Sequence, residues 1–303
     1  MSLDTPPTIA VFTKNRLNPA YHAARLGAAL TAACFGARTV DYVPERPDDV
    51  EQQIALIDLA LRDRPDAFVF VPVHATAIDA SVRMIRAAGI PLINCLNQLG
   101  FPEDYVCFVG SDDYRLAVEV AERLFAALAG QGDVIVLEGA PGSVTSRARV
   151  RGFVDSARAH AGIRIVASRA GNYLHEDAKV VMLQLLAEHP TVAGVLAAND
   201  SMALGAIEAL GEAARESLVV GVNAIPEAIA ALKTGKLLAT ADFDAYKISC
   251  IATEAAVRFL RGLSVPKEIL LPVQIVDRSN CGPWEKPFEE RDRPAWASVV
   301  GSP

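Results

Sequence analysis

Apolar and polar residues follow two patterns along this chain, one typical of β-strands and one typical of α-helices. Segments with the two patterns alternate in regular order. Short apolar runs, such as 8–13 and 67–71, have the length and composition of buried strands. Between them lie stretches with apolar residues at helical spacing, such as 19–35, which ends at Gly36. Strands that alternate with helices predict parallel sheets covered by helices on both faces.

The whole pattern predicts eleven strands and nine helices. The strands are expected at about 8–13, 38–43, 67–71, 91–95, 105–109, 133–137, 163–167, 192–198, 218–222, 237–241 and 269–276. The helices are expected at about 19–35, 48–62, 76–88, 112–129, 144–160, 176–188, 200–210, 226–234 and 245–260. This order indicates an α/β fold of two Rossmann-like units with parallel sheets.

The alternation of strands and helices occurs in two successive series of similar length, which predicts two lobes. One lobe is expected to comprise 8–110 and 243–272, and the other 111–242 and 273–280, because the chain would cross back near Asp242. Residues 281–303 show no periodicity and are predicted to be a surface tail. Several short crossings would leave a cleft between the lobes, which is a natural small-molecule site.

Polar and aromatic side chains follow the predicted strands, at the edge where open parallel sheets bind small molecules. Asn199 and Asp200, for example, come directly after a buried strand and before a helix. Helix capping alone would explain that pair. Each of the other polar and aromatic residues at this edge could also be explained by a turn, by core packing or by a solvent-exposed face. Amides and arginines can also bond sugar hydroxyls, and tyrosines can stack on sugar rings. The residues at this edge are Lys14, Asn18, Tyr21, Asn97, Gln98, Arg147, Tyr173, Asn199, Asn223, Phe243 and Asp244.

Composition narrows the class of partner. The 303 residues are 51% apolar, enough for two cores, and the formal net charge is −7, which disfavours nucleic acid and anionic membranes. No apolar run approaches the roughly 20 residues of a membrane span. The first seven residues carry neither the basic nor the apolar region of a signal peptide. The chain is therefore expected either to be cytosolic or to be a mature form without its signal.

Cysteine and histidine spacing gives no metal site. The five cysteines are odd in number, widely spaced and without a Cys-x-x-Cys pair, so separate buried thiols are expected, with a Cys95–Cys107 bridge as the alternative in an oxidising compartment. Sequence signatures of enzymes are also missing. Gly139-Ala-Pro-Gly142 lacks the third glycine of a dinucleotide fingerprint, and no nucleophile elbow, zinc helix or phosphate loop occurs. Neither catalysis nor a cofactor is expected.

Six motifs in order resemble the type I periplasmic binding proteins of sugar ABC transporters, the ribose-binding-protein-like group that shares its fold with the ligand domains of LacI-type repressors. The resemblance covers about residues 8–280. The motifs are Asn18-Pro-x-Tyr21, Ala88-Gly-Ile-Pro-Leu-Ile93, Gly142-Ser-x-x-Ser-Arg-Ala-Arg-x-x-Gly-Phe153, Asn199-Asp-Ser-Met-Ala-Leu-Gly205, Gly221-Val-Asn223 and Gly235-Lys-Leu-x-Ala-Thr240.

The resemblance implies which residues bind ligand. The family's sugar-binding asparagines and the first arginine of its Arg-x-Arg stretch fall on Asn18, Arg147 and Asn199, and its stacking aromatics on Tyr21 and Tyr173. Lys14 lies where some relatives contact ligand with a lysine. The chain departs from ribose binders at four places, which hold Ala20, Leu96-Asn97, Asn223 and Phe243. Two carboxylates are thereby lost, which weakens the case for ribose itself.

The resemblance implies a monomeric periplasmic solute-binding protein with a three-segment hinge, whose closed form docks on an ABC permease. A sugar, a polyol or a sugar acid would be the ligand, the last meeting Arg147 and Lys14. The alternatives are the ligand domain of a LacI-type regulator, which would need a DNA-binding segment, and a Rossmann-type enzyme, which would need nucleotide binding and turnover.

Overall fold

The computed structural model describes residues 6–300, which divide into two compact units. Lobe 1 takes in 6–111, Asp244–Leu271 and 287–300, and lobe 2 takes in Asp112–Phe243 and Pro272–Lys286. The chain thus passes from one lobe to the other four times. No helix in the described part of the chain has the length and apolarity needed to cross a membrane.

The secondary structure alternates as the sequence predicts. The strands are β1 (Thr8–Phe12), β2 (Arg38–Tyr42), β3 (Ala67–Phe70), β4 (Leu92–Cys95), β5 (Cys107–Gly110), β6 (Gln131–Glu138), β7 (Gly162–Ala170), β8 (Gly194–Ala197), β9 (Leu218–Val222), β10 (Ala239–Asp242), β11 (Glu268–Leu270) and β12 (Gln274–Asp277). The helices are α1 (Pro19–Cys34), α2 (Val50–Asp63), α3 (Asp79–Ala87), α4 (Asp113–Ala127), α5 (Val144–Arg158), α6 (His175–Glu188), α7 (Asp200–Glu212), α8 (Pro226–Lys233), α9 (Ala245–Leu260) and α10 (Trp296–Val300).

Lobe 1 is built on a six-stranded sheet in the order β11-β5-β4-β3-β1-β2, with every pair parallel. Its core contains an aromatic cluster, in which the ring of Phe12 packs on those of Tyr42, Phe68 and Phe70 at centroid distances of 4.9–5.6 Å. Helices α1 and α9 cross closely, because a Cβ on Gly27 would lie only 2.5 Å from the Tyr246 carbonyl oxygen. The late helix α9 is therefore integral to this lobe.

Lobe 2 repeats the plan with the order β12-β10-β9-β8-β6-β7. All its strand pairs are parallel except β10 with β12, which is antiparallel. Its core consists mainly of aliphatic side chains from β6, β8 and β9 packed against α4 and α7, together with the buried rings of Phe125 and Phe153. These two sheets confirm the predicted fold class of two α/β lobes with mostly parallel strands.

The last predicted strand is wrong in one respect. The sequence predicts a single strand at 269–276, but the structure has β11 in the sheet of lobe 1 and β12 in the sheet of lobe 2. Leu271, Pro272 and Val273 separate them, and proline cannot donate a ladder hydrogen bond. One apolar stretch thus completes both sheets.

The segment 281–303, predicted to be a surface tail, is partly built into the lobes as far as residue 300. Cys281 is buried, and the Trp284 indole Nε1 donates to Asp242 Oδ2 at 2.6 Å. Further along, the Phe288 ring packs on His22, and Arg258 lies 4.4 Å from the Trp296 ring centroid. The amphipathic spacing that signals a helix is absent here because single aromatic anchors, rather than a helix face, hold the segment.

All five cysteines are free thiols. Cys95 and Cys107 lie on the neighbouring strands β4 and β5, and burial raises the pKa of each thiol to about 12. Four of the thiols are buried as expected, whereas Cys34 at the end of α1 is exposed.

Candidate functional site

The carboxyl end of β1 in lobe 1 is fixed by an ion pair. The Lys14 ammonium lies 3.1 Å from Asp48 Oδ1, and Lys14 is only 4% exposed. Asp48 adopts a left-handed backbone (φ +57°) and donates its N–H to the Lys14 carbonyl. Helix α2 is capped by Asp49, one residue after the predicted start of the helix at 48. Lys14 therefore meets a carboxylate of its own lobe.

Asn18 is engaged in capping the helix that follows. Its Oδ1 accepts the Ala20 N–H at 2.9 Å, and its own N–H donates to Asn15 Oδ1 at 2.9 Å. Pro19 stands at the first helical position, where its missing N–H costs nothing. Tyr21 lies half-buried in the first turn of α1. The Asn-Pro-x-Tyr motif thus starts a helix at the sheet edge.

The loop after β4 is held by the buried amide of Asn94. Its Nδ2 donates to the carbonyls of Phe70 and Asn97, and its Oδ1 accepts the Leu99 N–H. These bonds place Asn97, half-buried, and the exposed Gln98 just beyond the strand end. Gln98 Nε2 donates to the Tyr105 hydroxyl at 3.1 Å.

His74 is a residue of the same edge that the sequence reasoning missed. It follows β3 after Val71, Pro72 and Val73. Its Nδ1 accepts the N–H groups of Thr76 and Ala77 at 3.2 and 3.1 Å, so the neutral ring carries its proton on Nε2. The signal was available: it is the polar side chain that follows an apolar strand.

In lobe 2 the Arg-x-Arg stretch of α5 points its two arginines differently. Arg147 is exposed, and its Nη1 donates to the Gly142 carbonyl at 3.1 Å. Arg149 is buried and lies at the helical spacing of Ser146, Gly152 and Phe153, which are also buried. The spacing of these buried neighbours is the sequence signal that distinguishes the two arginines.

The Arg149 guanidinium joins three elements of lobe 2. Its Nε and Nη2 each lie 2.8 Å from Asp113 Oδ1, at the first turn of α4. Its Nη1 donates to the Ala198 carbonyl at 2.6 Å, at the end of β8. The Phe243 ring centroid lies 5.5 Å from its Cζ, within cation–π range. Arg149 is thus fixed in direction at the carboxyl edge of the sheet.

Asn199 and Tyr173 are coupled at the same edge. Asn199 Oδ1 caps α7 by accepting the Met202 N–H at 2.9 Å, and its Nδ2 donates to the Tyr173 carbonyl at 3.1 Å. The Tyr173 ring lies directly on Gly139, where a Cβ would come within 2.1 Å of a ring carbon. Within the described part of the chain, the buried Tyr173 hydroxyl has no hydrogen-bond partner.

Asn223 and Phe243 complete this edge at the ends of β9 and β10. Asn223 has φ +123° and donates its N–H to the Ala241 carbonyl at 2.9 Å. Both side chains are half-buried. Of the predicted residues, lobe 2 therefore brings Tyr173, Asn199, Asn223 and Phe243 to its carboxyl edge. The exposed Arg147 lies beside the loop that follows β6, and the buried Arg149, which was not predicted, lies next to Phe243.

The side chains at the two edges have chemistry that would suit a polyhydroxylated ligand. Amides both donate and accept, a guanidinium donates in a plane, and rings offer apolar faces. In residues 6–300 no group of three or more His, Cys, Asp or Glu side chains could hold a metal ion.

Comparison with known proteins defines the class. The model of the periplasmic binding protein domain family matches residues 9–264, and the chain belongs to this family. The class consists of binding proteins for transport and not of enzymes, and it implies a periplasmic or extracytoplasmic location.

Among particular proteins, the chain is similar to sugar import binding proteins. It is 31% identical to the ribose import binding protein RbsB of Salmonella typhimurium over 272 residues, 89% of this chain and 90% of that protein. It is 33% identical to the D-ribose/D-allose-binding protein of Pseudomonas aeruginosa over 239 residues, 75% of each.

Solved structures agree. A solute-binding protein of Actinobacillus succinogenes with bound D-allose is 30% identical, with a TM-score of 0.86 over 90% of this chain and 98% of that one. Another, from Bacillus halodurans with bound myo-inositol, is 25% identical, with a TM-score of 0.86 over 94% and 99%.

Proposed function

We propose that this protein is the solute-binding component of an ABC sugar importer and that its ligand is a neutral sugar or polyol. The placement of the ligand site is supported by one observation. The buried Arg149 guanidinium, oriented by Asp113 and the Ala198 carbonyl, lies beside the Phe243 ring at the carboxyl edge of the lobe 2 sheet. A fixed donor next to an aromatic face matches a hydroxyl-bearing ring.

Neutral ligands are favoured over sugar acids by the charge of the two edges. Lys14 is paired with Asp48 and Arg149 with Asp113, so these two buried cations already face a carboxylate, and the exposed Arg147 donates to the Gly142 carbonyl. The other predicted contacts, Asn18, Asn97 and Asn199, carry no charge. The named relatives bind ribose or allose, and the solved neighbours hold D-allose or myo-inositol, all neutral polyhydroxylated molecules.

The partner follows from the class. Import binding proteins deliver their ligand to a membrane permease, and we infer such a partner for this chain. Closure of the lobes over ligand and a monomeric state remain predictions. Small-angle scattering with and without sugar tests both, since closure lowers the radius of gyration and a dimer doubles the scattering mass.

The decisive experiment is calorimetric titration with D-ribose, D-allose, myo-inositol, xylitol and D-gluconate. A ligand at 100 times its Kd adds about 2.7 kcal/mol to the free energy of unfolding, so a thermal-shift screen can rank candidates first. Binding of a neutral sugar or polyol supports the proposal. If only D-gluconate binds, the proposal of a neutral ligand is wrong. If none of the five compounds binds, the proposal of a sugar or polyol ligand of this kind is wrong.

Two arginines on one helix give a matched pair of variants. Arg149→Ala should abolish or greatly weaken the binding found in the screen, whereas Arg147→Ala should leave it within about twofold. The opposite result would return the site to Arg147, as the motif alone predicts.

A further inference from the structure

A fully buried carboxylate ties together the elements behind the lobe 2 edge. Asp200 is 0% exposed. Its Oδ1 accepts the Thr240 hydroxyl at 2.7 Å, from β10, and its Oδ2 accepts the Ile225 N–H at 3.0 Å, from the loop after β9. It also presses against β9, since a Cβ on Gly221 would lie 2.3 Å from Oδ1.

The loop that it holds has a costly backbone. Asn223 and Ala224 adopt φ values of +123° and +52°, in the left-handed region that residues other than glycine rarely occupy. The Ala224 N–H donates to Thr240 Oγ1 at 3.2 Å, and Thr240 in turn donates to Asp200. Two successive N–H groups of the strained loop therefore depend on the same carboxylate: that of Ile225 is bonded to it directly, and that of Ala224 through the Thr240 hydroxyl.

Helix capping does not account for this arrangement. Asp200 is the first residue of α7, where any acid is favoured by the helix dipole. The cap hydrogen bond, however, is made by Asn199, while both Asp200 oxygens accept from other elements. Nothing in the helix itself requires the carboxylate to be buried.

From this geometry we propose that Asp200 is a positioning residue for ligand binding. Its ionised carboxylate holds the loop 223–225 so that Asn223 stands at the sheet edge, and its protonation lowers sugar affinity. This inference rests on the proposed function for its affinity readout, but not for its structural one.

The ionisation of Asp200 supports a pH response. Burial raises the pKa of Asp200 to about 6, against the opposing effects of the Thr240 hydroxyl, the Ile225 and Ala224 N–H groups and the positive Arg149. On β10, Asp242 lies two residues from Thr240 on the same strand face, and its Oδ2 accepts from Trp284. A protonated carboxyl can still accept at one oxygen, but its hydroxyl must donate, so one bond of the set is lost.

The test is Asp200→Asn, because an amide presents one oxygen where the carboxylate presents two. At pH 7.5 we expect D-allose, or whichever sugar the screen identifies, to bind about tenfold more weakly, since one bond to a charged group is lost. Wild-type affinity should fall about tenfold between pH 7.5 and pH 5.0, whereas the variant should change little. Asp104→Asn in lobe 1, also a buried carboxylate, is the matched control and should keep the wild-type profile.

A readout without ligand separates this inference from the proposed function. Amide hydrogen exchange at Ala224 and Ile225 should accelerate about tenfold in Asp200→Asn while the central strands stay protected. Thr240→Val tests the same link if the first variant fails to fold. If the exchange rates and the pH profile are both unchanged in the variant, the positioning role is wrong even if sugar binds. If exchange is faster but no sugar binds, only the proposed function is wrong.

Discussion

The carboxyl edges of the two sheets arise from the same pattern but use their polar residues differently. In lobe 1 the edge residues mainly hold their own loops: Lys14 pairs with Asp48, Asn18 caps α1 and Asn94 fixes the turn that carries Asn97. In lobe 2 a buried guanidinium stands beside an aromatic ring. The comparison teaches that two similar edges, each with amides and one buried cation, can use the cation differently: Lys14 holds its own loop, whereas Arg149 lies beside an aromatic ring.

The largest expected effect is a loss of sugar affinity that differs between variants of the two lobes. Arg149→Ala removes the oriented donor beside the Phe243 ring and leaves the sugar hydroxyl that it would bind without a charged partner, so we expect a loss of about 2–4 kcal/mol in sugar binding. Asn97→Ala in lobe 1 removes a neutral contact and should cost about 0.5–1.5 kcal/mol. Titration calorimetry measures both, and equal losses would erase the proposed asymmetry.

The next effect concerns stability and pH. Because the folded pKa of Asp200, about 6, lies above its unfolded value, the native state binds the extra proton between pH 4 and 6. The contribution of Asp200 to the free energy of unfolding is therefore greatest below pH 4, falls as the pH rises through 6 and is constant above that. The change is on the order of 2–3 kcal/mol.

Urea unfolding of wild type and Asp200→Asn across this range isolates the effect, because the difference between the two reports this one group. The stability of wild type relative to the variant should decline from pH 4 to pH 7. A flat difference would contradict the raised pKa.

A third variant tests whether Lys14 is structural or a ligand contact. Lys14→Met removes the cation from the buried pair and leaves Asp48, which is partly exposed, to find water. We expect a loss of about 1–3 kcal/mol in the free energy of unfolding by urea titration. Neutral-sugar affinity should change less than twofold, and a large loss of affinity with unchanged stability would make Lys14 a contact instead.

The smallest expected effect compares the two helix caps. Asn18→Ala and Asn199→Ala each remove a side-chain acceptor from a helix N-terminus, at a cost of about 1 kcal/mol in unfolding free energy. Asn18→Asp and Asn199→Asp keep that acceptor and should recover most of the stability. If the aspartates also restore sugar affinity, the amide nitrogens are not ligand contacts.

Much of the fold could be predicted because local patterns and tertiary packing agree. The strand at Leu218–Val222 and the helix at Ala245–Leu260 have the predicted bounds. The stretch 269–276 could not be divided correctly, because β11 and β12 are both apolar and only the sheet partners differ. Residues 281–300 escaped prediction because Trp284 and Phe288 act singly, without a periodic face.

The candidate site could be predicted by position but not in every residue. The rule that ligands bind where strands end located Asn199, Asn223 and Phe243 at the lobe 2 edge. Motif matching selected Arg147, whose role in binding stays a prediction, and the spacing of Ser146, Gly152 and Phe153 adds Arg149 on the buried helix face. The role proposed for Asp200 depends on Thr240 and Ile225, which are distant in sequence and meet it only in the folded lobe.

The split between β11 and β12 has a consequence for synthesis. Lobe 1 needs α9 and β11, and lobe 2 needs β12, so the sheet of lobe 1 lacks its last strand until the chain reaches Leu270, and the sheet of lobe 2 lacks its last strand until the chain reaches Asp277. A nascent chain ending at Phe243 already carries the ten strands β1–β10, but the sheet edges at β5 and β10 lack their last partners. Unpaired edges invite association between chains. The nascent protein thus depends on its last segments, and translation arrested shortly before Asp277 should yield chains prone to aggregate.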